Sequence, residues 1–219
     1  MAEPQGDRRP LTSRDTKWAR WLAGALVKRR VAPNSISVAS VFAAALGAAA
    51  LVCVPEASST VLRAALYVGA AAMIQLRLCC NLIDGMVAVE GKLGTKTGDV
   101  FNELPDRFAD LLLIAGAGYA ARALPHAIEL GWLAASLALI TAYVRALGKS
   151  VGAGTHFQGP MAKPHRMACL TIACLVAAAL SSGPRHAQVI AAALVVIALG
   201  TVLTIARRLQ RIFAALRAS

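Results

Sequence analysis

Carboxylate and amide side chains recur at helical spacing between residues 81 and 110. Asn81 and Asp84 are three residues apart, and Asn102, Asp106 and Asp110 follow one another at intervals of four, so each set shares one helix face. The turn between the two sets is short, which predicts antiparallel neighbouring helices with these faces opposed. Oxygen side chains of this kind bind hard cations such as Mg²⁺, Mn²⁺ and Ca²⁺. All five residues are therefore candidate ligands of a divalent metal, and without His or Cys the set disfavours zinc.

A metal beside carboxylates neutralises a pyrophosphate, and a free carboxylate activates an attacking hydroxyl. The stretch therefore predicts phosphoryl-transfer chemistry. Small residues in and after the first helix leave room for a bulky ligand against the backbone; they are Gly85, Ala88, Gly91, Gly94 and Gly98. The alternative is a solvated acidic rim that binds nothing.

Basic residues accompany the acidic ones. Arg77 lies on the same helix face as Asn81 and Asp84, where we expect it to be the counter-charge of a buried aspartate rather than a substrate contact. Three further cations are candidates to bind pyrophosphate or an anionic acceptor. Lys163 and Arg166 belong to a second basic loop, residues 148–166, and Arg145 lies at the end of the predicted fourth span, just before it. Positive loop charge in contact with lipid headgroups is the alternative.

The elements that position these residues are predicted to be membrane helices. The chain has 219 residues, 58% of them hydrophobic, and a mean hydropathy of +0.61. Several windows reach the roughly 18–20 apolar residues that span a bilayer. The net charge of +12 is clustered between apolar segments, which favours an anionic membrane surface over nucleic acid.

We therefore predict an all-α integral membrane protein with six transmembrane helices. A disordered polar tail, residues 1–15, precedes an interfacial amphipathic helix at 16–33. The six-helix domain covers residues 34–206, and a basic cytoplasmic tail follows at 207–219. The predicted spans begin near residues 36, 61, 100, 130, 167 and 189.

Most Lys and Arg residues fall in the N-terminus, the 91–98 turn, the 148–166 loop and the C-terminus. By the positive-inside rule both termini and the acidic hairpin are cytoplasmic. We expect a multi-pass protein of the inner (plasma) membrane of a bacterium.

The hairpin resembles the signature of the CDP-alcohol phosphotransferases, D-x2-D-G-x2-A-R, about eight residues, then G-x3-D-x3-D. The same spacing here reads Asn81-x2-Asp84-Gly85-x2-Ala88-Val89, eight residues, Gly98-x3-Asn102-x3-Asp106. The interfacial helix, the six spans and the basic loop between the fourth and fifth spans also resemble the family. The resemblance implies transfer of a phosphoalcohol from a CDP-linked lipid, such as CDP-diacylglycerol, to an acceptor alcohol with release of CMP.

The resemblance also implies residue roles. Asp106 matches the general base and a metal ligand, and Asp84 matches a metal- and nucleotide-binding aspartate. Gly85, Ala88 and Gly98 match the small positions that accommodate the cytidine nucleotide. The cofactor implied is Mg²⁺ or Mn²⁺, and the family implies a homodimer.

Three positions depart from the signature: Asn81 and Asn102 replace aspartates, and Val89 replaces the arginine. The site is two charges less negative, so metal affinity should fall or one of two metals should be lost. Asp110, one turn after Asp106, is a candidate to compensate.

The departures leave an alternative function open, a catalytically degenerate member that acts as a lipid-binding or scaffold protein. Transfer to water or to an unusual alcohol is a second enzymatic alternative. A transporter is disfavoured because the polar residues gather at one membrane face. Small residues such as Gly116 and Gly118 would allow close helix contact in a dimer.

Overall fold

A computed structural model describes residues 16–91, 97–155 and 159–218, apart from the side chains of Asp99 and Asn102. The described chain is helical, without strands. Its helices are α1 (Lys17–Lys28), α2 (Pro33–Cys53), α3 (Thr60–Glu90), α4 (Gly98–Ala120), α5 (Ala127–Ser150), α6 (Lys163–Ala179) and α7 (Arg185–Ala218). A 3₁₀ turn, Val54–Glu56, ends α2. The predicted disordered tail at 1–15 and the centre of the 91–98 turn lie outside the described residues.

Four segments of the described chain are long and apolar enough to cross a membrane: Pro33–Glu56, Thr60–Glu90, Ala127–Ser150 and Arg185–Ala218. The other two predicted spans correspond to α4 and α6. Helix α6 has only 17 residues, and α4 contains several charged residues, including Glu103, Asp106 and Asp110. Six spans therefore remain a prediction, whereas the all-helical fold is confirmed.

Helix α2 packs against both α3 and α4, while α5 lies between α4 and α7, and α6 contacts α3 and α7. Alanine and glycine fill much of the buried core, including Ala44, Ala70, Ala117 and Ala134. Small side chains allow close helix approach, which is the usual way that membrane helices gain van der Waals contact.

Helix α1 packs against the end of α3. Ala19 and Ala23 are fully buried in a cluster with Leu82 and Val87, whereas Trp21 is 74% exposed. An exposed tryptophan on an otherwise packed helix is compatible with the interfacial position predicted from the sequence. That position remains a prediction.

Helix α7 continues past the residue where the sequence suggested a separate tail. It runs to Ala218 without a break. Arg208 is buried and donates a hydrogen bond to the main-chain oxygen of Thr141 on α5, at 2.6 Å. Ile212 is buried as well, against Gly148. The basic segment is thus the last part of a packed helix, because its Arg208 and Ile212 face α5.

Helices α4 and α5 come closest at a pair of glycines. A Cβ atom built on Gly131 would lie 2.8 Å from Cα of Gly118, and one built on Gly118 would lie 2.8 Å from the main-chain oxygen of Ala127. Gly116 faces Ala48 of α2 in the same way. These glycines serve contacts within the chain, so they give no support to a dimer interface.

We expect Gly131→Ala to lower the stability of the protein, because the added methyl group meets backbone atoms that are unable to rotate away. The loss should be about 1–3 kcal/mol, typical of overpacking. Gly69→Ala on α3 is the matched control, since nothing lies within 4 Å of its Cβ position; helix propensity there should leave stability equal or raise it by up to about 1 kcal/mol. Thermal denaturation of both variants in detergent tests this, and equal melting temperatures would contradict it.

Candidate functional site

The predicted site residues meet at one end of the bundle. The last third of α3 and the first turns of α4 and α6 come together there with the start of α2. The antiparallel arrangement predicted for the α3–α4 hairpin places Asn81 and Asp84 on one side and Asp106 and Asp110 on the other. Asp84, Asp106 and Asp110 are all buried, at 3%, 5% and 1% exposure.

Asp110 is held between two arginines. Its Oδ1 accepts a hydrogen bond from Nη2 of Arg77 and its Oδ2 accepts one from Nη2 of Arg166, each at 2.8 Å. All three side chains are at most 1% exposed. We call Arg77, Asp110 and Arg166 the buried triad. It joins α3, α4 and α6, and it confirms that Arg77 is the counter-charge of a buried aspartate.

The triad gives two residues roles that differ from those suggested by the sequence. Both oxygens of Asp110 are engaged by guanidinium groups, so it is not open to compensate as a metal ligand. Arg166 also donates to the main-chain oxygen of Met161 at 2.8 Å. Its guanidinium is buried in these contacts and is not presented to a substrate phosphate. In this structure both side chains contact other residues of the bundle, and their predicted roles toward metal and phosphate stay predictions.

Lys163 reaches across from α6 to both sides of the hairpin. Its Nζ donates to Oδ1 of Asn81 at 2.5 Å and to Oδ2 of Asp106. Its side chain is 19% exposed. A lysine ammonium has three donors, so these two bonds use most of its capacity. Lys163 therefore lies inside the predicted ligand set and not at its rim.

Asp84 has a partner on α2 that the sequence did not indicate. Oγ of Ser37 donates to Asp84 Oδ2 at 2.5 Å and is itself buried. Ser37 and Ser40 are polar, buried residues in an Ala-rich helix. Two serines at a spacing of three in such a helix are the signal that could have marked this face as polar.

Each of the two aspartates keeps one oxygen open. Oδ1 of Asp84 and Oδ1 of Asp106 are buried and make no hydrogen bond with the described residues. Asp106 Oδ1 lies 3.2 Å from Arg77 without the geometry of a hydrogen bond. Buried ionised oxygens without donors are costly, and such atoms in native proteins usually face a ligand, an ion or water. The two Oδ1 atoms are therefore suited to bind a cation.

The described residues do not form a site rich in acidic ligands. No group of three His, Cys, Asp or Glu side chains converges in the described ranges to hold a metal. The open oxygens of Asp84 and Asp106 thus fit one divalent cation whose remaining ligands come from amide oxygens, water or substrate, as is common for Mg²⁺.

The remaining predicted residues lie around this centre. Arg145 on α5 pairs with Glu103 of α4, and Arg107 lies 3.6 Å from the same carboxylate. Gly85 and Ala88 are half-buried on α3, and Gly98 is the first residue of α4. Asn102 falls within α4, but its side chain lies outside the described residues.

We expect Arg166→Met to destabilise the protein strongly, because it leaves Asp110 buried with half of its charge compensation. Breaking a buried pair by removing one partner costs roughly 3–5 kcal/mol. The matched control is Arg122→Met, whose pair with Glu56 is exposed and should contribute about 0–1 kcal/mol.

A double variant separates the charge from general packing. Asp110→Asn combined with Arg166→Met should lose less stability than the two single changes added together. Additive losses in chemical or thermal denaturation would show that the triad is not an energetic unit.

Comparison with protein-family models gives no match, and neither does comparison with curated protein sequences. Solved structures do match. The phosphatidylinositol phosphate synthase PgsA1 of Mycobacterium tuberculosis with CDP-DAG bound has a TM-score of 0.71 at 18% identity, over 90% of this chain and 94% of that chain. The same enzyme with manganese and citrate has a TM-score of 0.72 at 18% identity, over 89% and 88%.

The apo form of PgsA1 has a TM-score of 0.65 at 19% identity, over 88% of this chain and 94% of that chain. The likeness therefore covers nearly the whole of both chains, with or without a bound ligand in the matched structure. The chain has the fold of the CDP-alcohol phosphotransferases, the family that its α3–α4 motif resembles.

Proposed function

We propose that this chain is a membrane phosphotransferase of phospholipid biosynthesis. It moves a phosphatidyl group from a CDP-linked lipid such as CDP-diacylglycerol to an acceptor alcohol and releases CMP. The observation that supports this most directly is the pair of buried, open oxygens on Asp84 and Asp106. One lies on each helix of the hairpin, at the register of the signature, in a fold shared with a synthase that has CDP-DAG bound.

The metal requirement of such a site is met by the residues present. A bound Mg²⁺ or Mn²⁺ supplies positive charge to the pyrophosphate, and Asp84 and Asp106 would hold it. A solved structure of similar fold is in complex with manganese, which supports the choice of ion. Ser37 keeps the Asp84 carboxylate in place through its hydrogen bond.

Asp106 is the proposed general base. The acceptor hydroxyl oxygen forms a bond to the phosphorus of the phosphatidyl group, and the bond from that phosphorus to the oxygen of CMP breaks. CMP leaves with the electron pair, and the hydroxyl proton passes to Asp106. Lys163 donates to Oδ2 of the same carboxylate and orients it.

The surroundings leave room for a nucleotide and a lipid. Gly85, Ala88 and Gly98 keep side-chain bulk away from the facing surfaces of α3 and α4, as proposed for the cytidine part. An open cavity of about 260 Å³ lies at the starts of α2 and α4, lined by Asn34, Ser35, Val38 and Phe101. Its lining residue Val38 is next to Ser37, the partner of Asp84, in the sequence, so we propose this side as the approach for substrate.

The proposed setting is the cytoplasmic face of a bacterial inner membrane. The cation-rich loop with Lys163 and the end of α7 with Arg208 both lie at the same end of the bundle as Asp84, which the positive-inside rule places in the cytoplasm. A homodimer and a membrane-surface position for α1 remain part of this proposal.

A non-catalytic, lipid-binding role is the second candidate. It is favoured by Lys163, whose ammonium occupies one oxygen of the proposed base, and by the three departures from the signature at Asn81, Val89 and Asn102. Release of CMP separates the two candidates, because a binding protein does not turn over.

We expect purified protein to release CMP from CDP-diacylglycerol when Mg²⁺ and a suitable acceptor are present. Asp106→Asn should lower the rate about 10²- to 10⁴-fold, the range for loss of a general base. The assay uses labelled CDP-diacylglycerol, a panel of polyols and phosphorylated alcohols as acceptors, and mass spectrometry of the lipid product.

Glu129→Gln is the matched control, since this carboxylate is exposed at the other end of the bundle and its loss should leave the rate unchanged. Absence of metal-dependent CMP release with every acceptor would reject the transferase proposal. An equal rate for Asp106→Asn and wild type would reject the role of Asp106.

A further inference from the structure

The tip of Lys163 lies where a metal would be expected to find ligands. Its Nζ contacts an oxygen from α3, Asn81 Oδ1, and an oxygen from α4, Asp106 Oδ2. Bridging oxygens on two facing helices is what a bound cation does. Here the bridging cation is an ammonium group that belongs to the chain itself.

The charges at the site agree with Lys163 as the cation that bridges α3 and α4. The described site has three carboxylates, Asp84, Asp106 and Asp110, and three cations, Arg77, Lys163 and Arg166, so its formal charges cancel. The rim adds no negative charge, because Glu103 is shared by Arg107 and Arg145. A neutral site attracts divalent cations weakly and does not balance two of them.

The open oxygens set the number of ions. Among the described carboxylates at the site, only Asp84 Oδ1 and Asp106 Oδ1 are both buried and without a hydrogen bond. One from each helix is enough for a single divalent cation that completes its shell with phosphate and water. A second ion would have to displace Lys163 from Asn81 and Asp106.

We propose that Lys163 is a built-in cation that replaces one divalent ion, so that the chain binds a single Mg²⁺ or Mn²⁺ between Asp84 and Asp106. This inference deepens the proposed function, since it concerns the ions at the same site. It also explains Asn81, because a neutral carbonyl oxygen is enough to accept a hydrogen bond from the ammonium group of Lys163.

The test is a count of bound Mn²⁺ on the purified full-length chain. Metal-free protein in detergent is titrated with Mn²⁺ at saturating CDP, free Mn²⁺ is followed by its electron paramagnetic resonance signal, and the Mn²⁺ bound by CDP in a protein-free titration is subtracted. Wild type should bind one ion per chain. Asn81→Asp combined with Lys163→Met restores an acid and removes the cation, and this variant should bind two.

Two further variants control for charge and folding. Lys163→Arg keeps the positive charge and should stay at one ion. Arg122→Met combined with Asn81→Asp makes the same change in net charge as the double variant, but it leaves Lys163 in place, so it should also stay at one. If the double variant does not elute as a folded protein, Lys163→Gln replaces it, and its Mn²⁺ should bind at least tenfold more tightly than in wild type.

Two ions on wild type, no Mn²⁺ on wild type, or no gain in count or affinity when Lys163 is neutralised would each overturn the proposal. The count is independent of turnover. CMP release by a chain that binds two ions would reject this inference and leave the transferase proposal standing. One bound ion without CMP release would reject the transferase proposal alone.

Discussion

The buried triad of Arg77, Asp110 and Arg166 is the interaction on which the rest of the site depends. Each member lies about one helical turn from a residue of the Lys163 contact, which joins Asn81, Asp106 and Lys163. Arg77 precedes Asn81 by four residues, Asp110 follows Asp106 by four, and Arg166 follows Lys163 by three. The two 2.8 Å hydrogen bonds to Asp110 therefore fix the positions of α3, α4 and α6 along their axes relative to one another. The contact of Lys163 with Asn81 and Asp106 follows from that alignment.

Close packing of the helices is the second condition for this arrangement. Charged groups remain buried together only if their helices approach near enough to exclude solvent and lipid. Gly47 against Met73 and Leu113, Gly116 against Ala48, and Gly118 against Gly131 bring α2, α3, α4 and α5 close together around it. The alanine-rich composition, which at first indicates only hydropathy, is thus also what allows a polar layer to close inside an apolar bundle.

The parts of the structure that depend on local periodicity were predictable from the sequence. The spacing of Arg77, Asn81 and Asp84 predicted one helix face, and all three residues lie on α3. Contacts between distant segments were not predictable. Lys163 is 57 residues from Asp106, and Ser37 is 47 from Asp84. No periodicity along one helix encodes such pairs, so the engagement of Asp110 and Arg166 was missed too.

Asn81 is easier to explain as a change that is matched by Lys163 than as a sign that the site has lost its function. A decayed site would be free to lose its remaining acids, because buried carboxylate oxygens without hydrogen bonds destabilise the fold. Asp84 and Asp106 nevertheless each present such an oxygen, while Asn81 is bound by the one lysine that also contacts Asp106. The neutral side chain and the cation compensate each other, whereas neither open oxygen accepts a hydrogen bond from the described chain, and only Arg77 lies near one of them, Asp106 Oδ1. That combination favours a site that still binds a ligand.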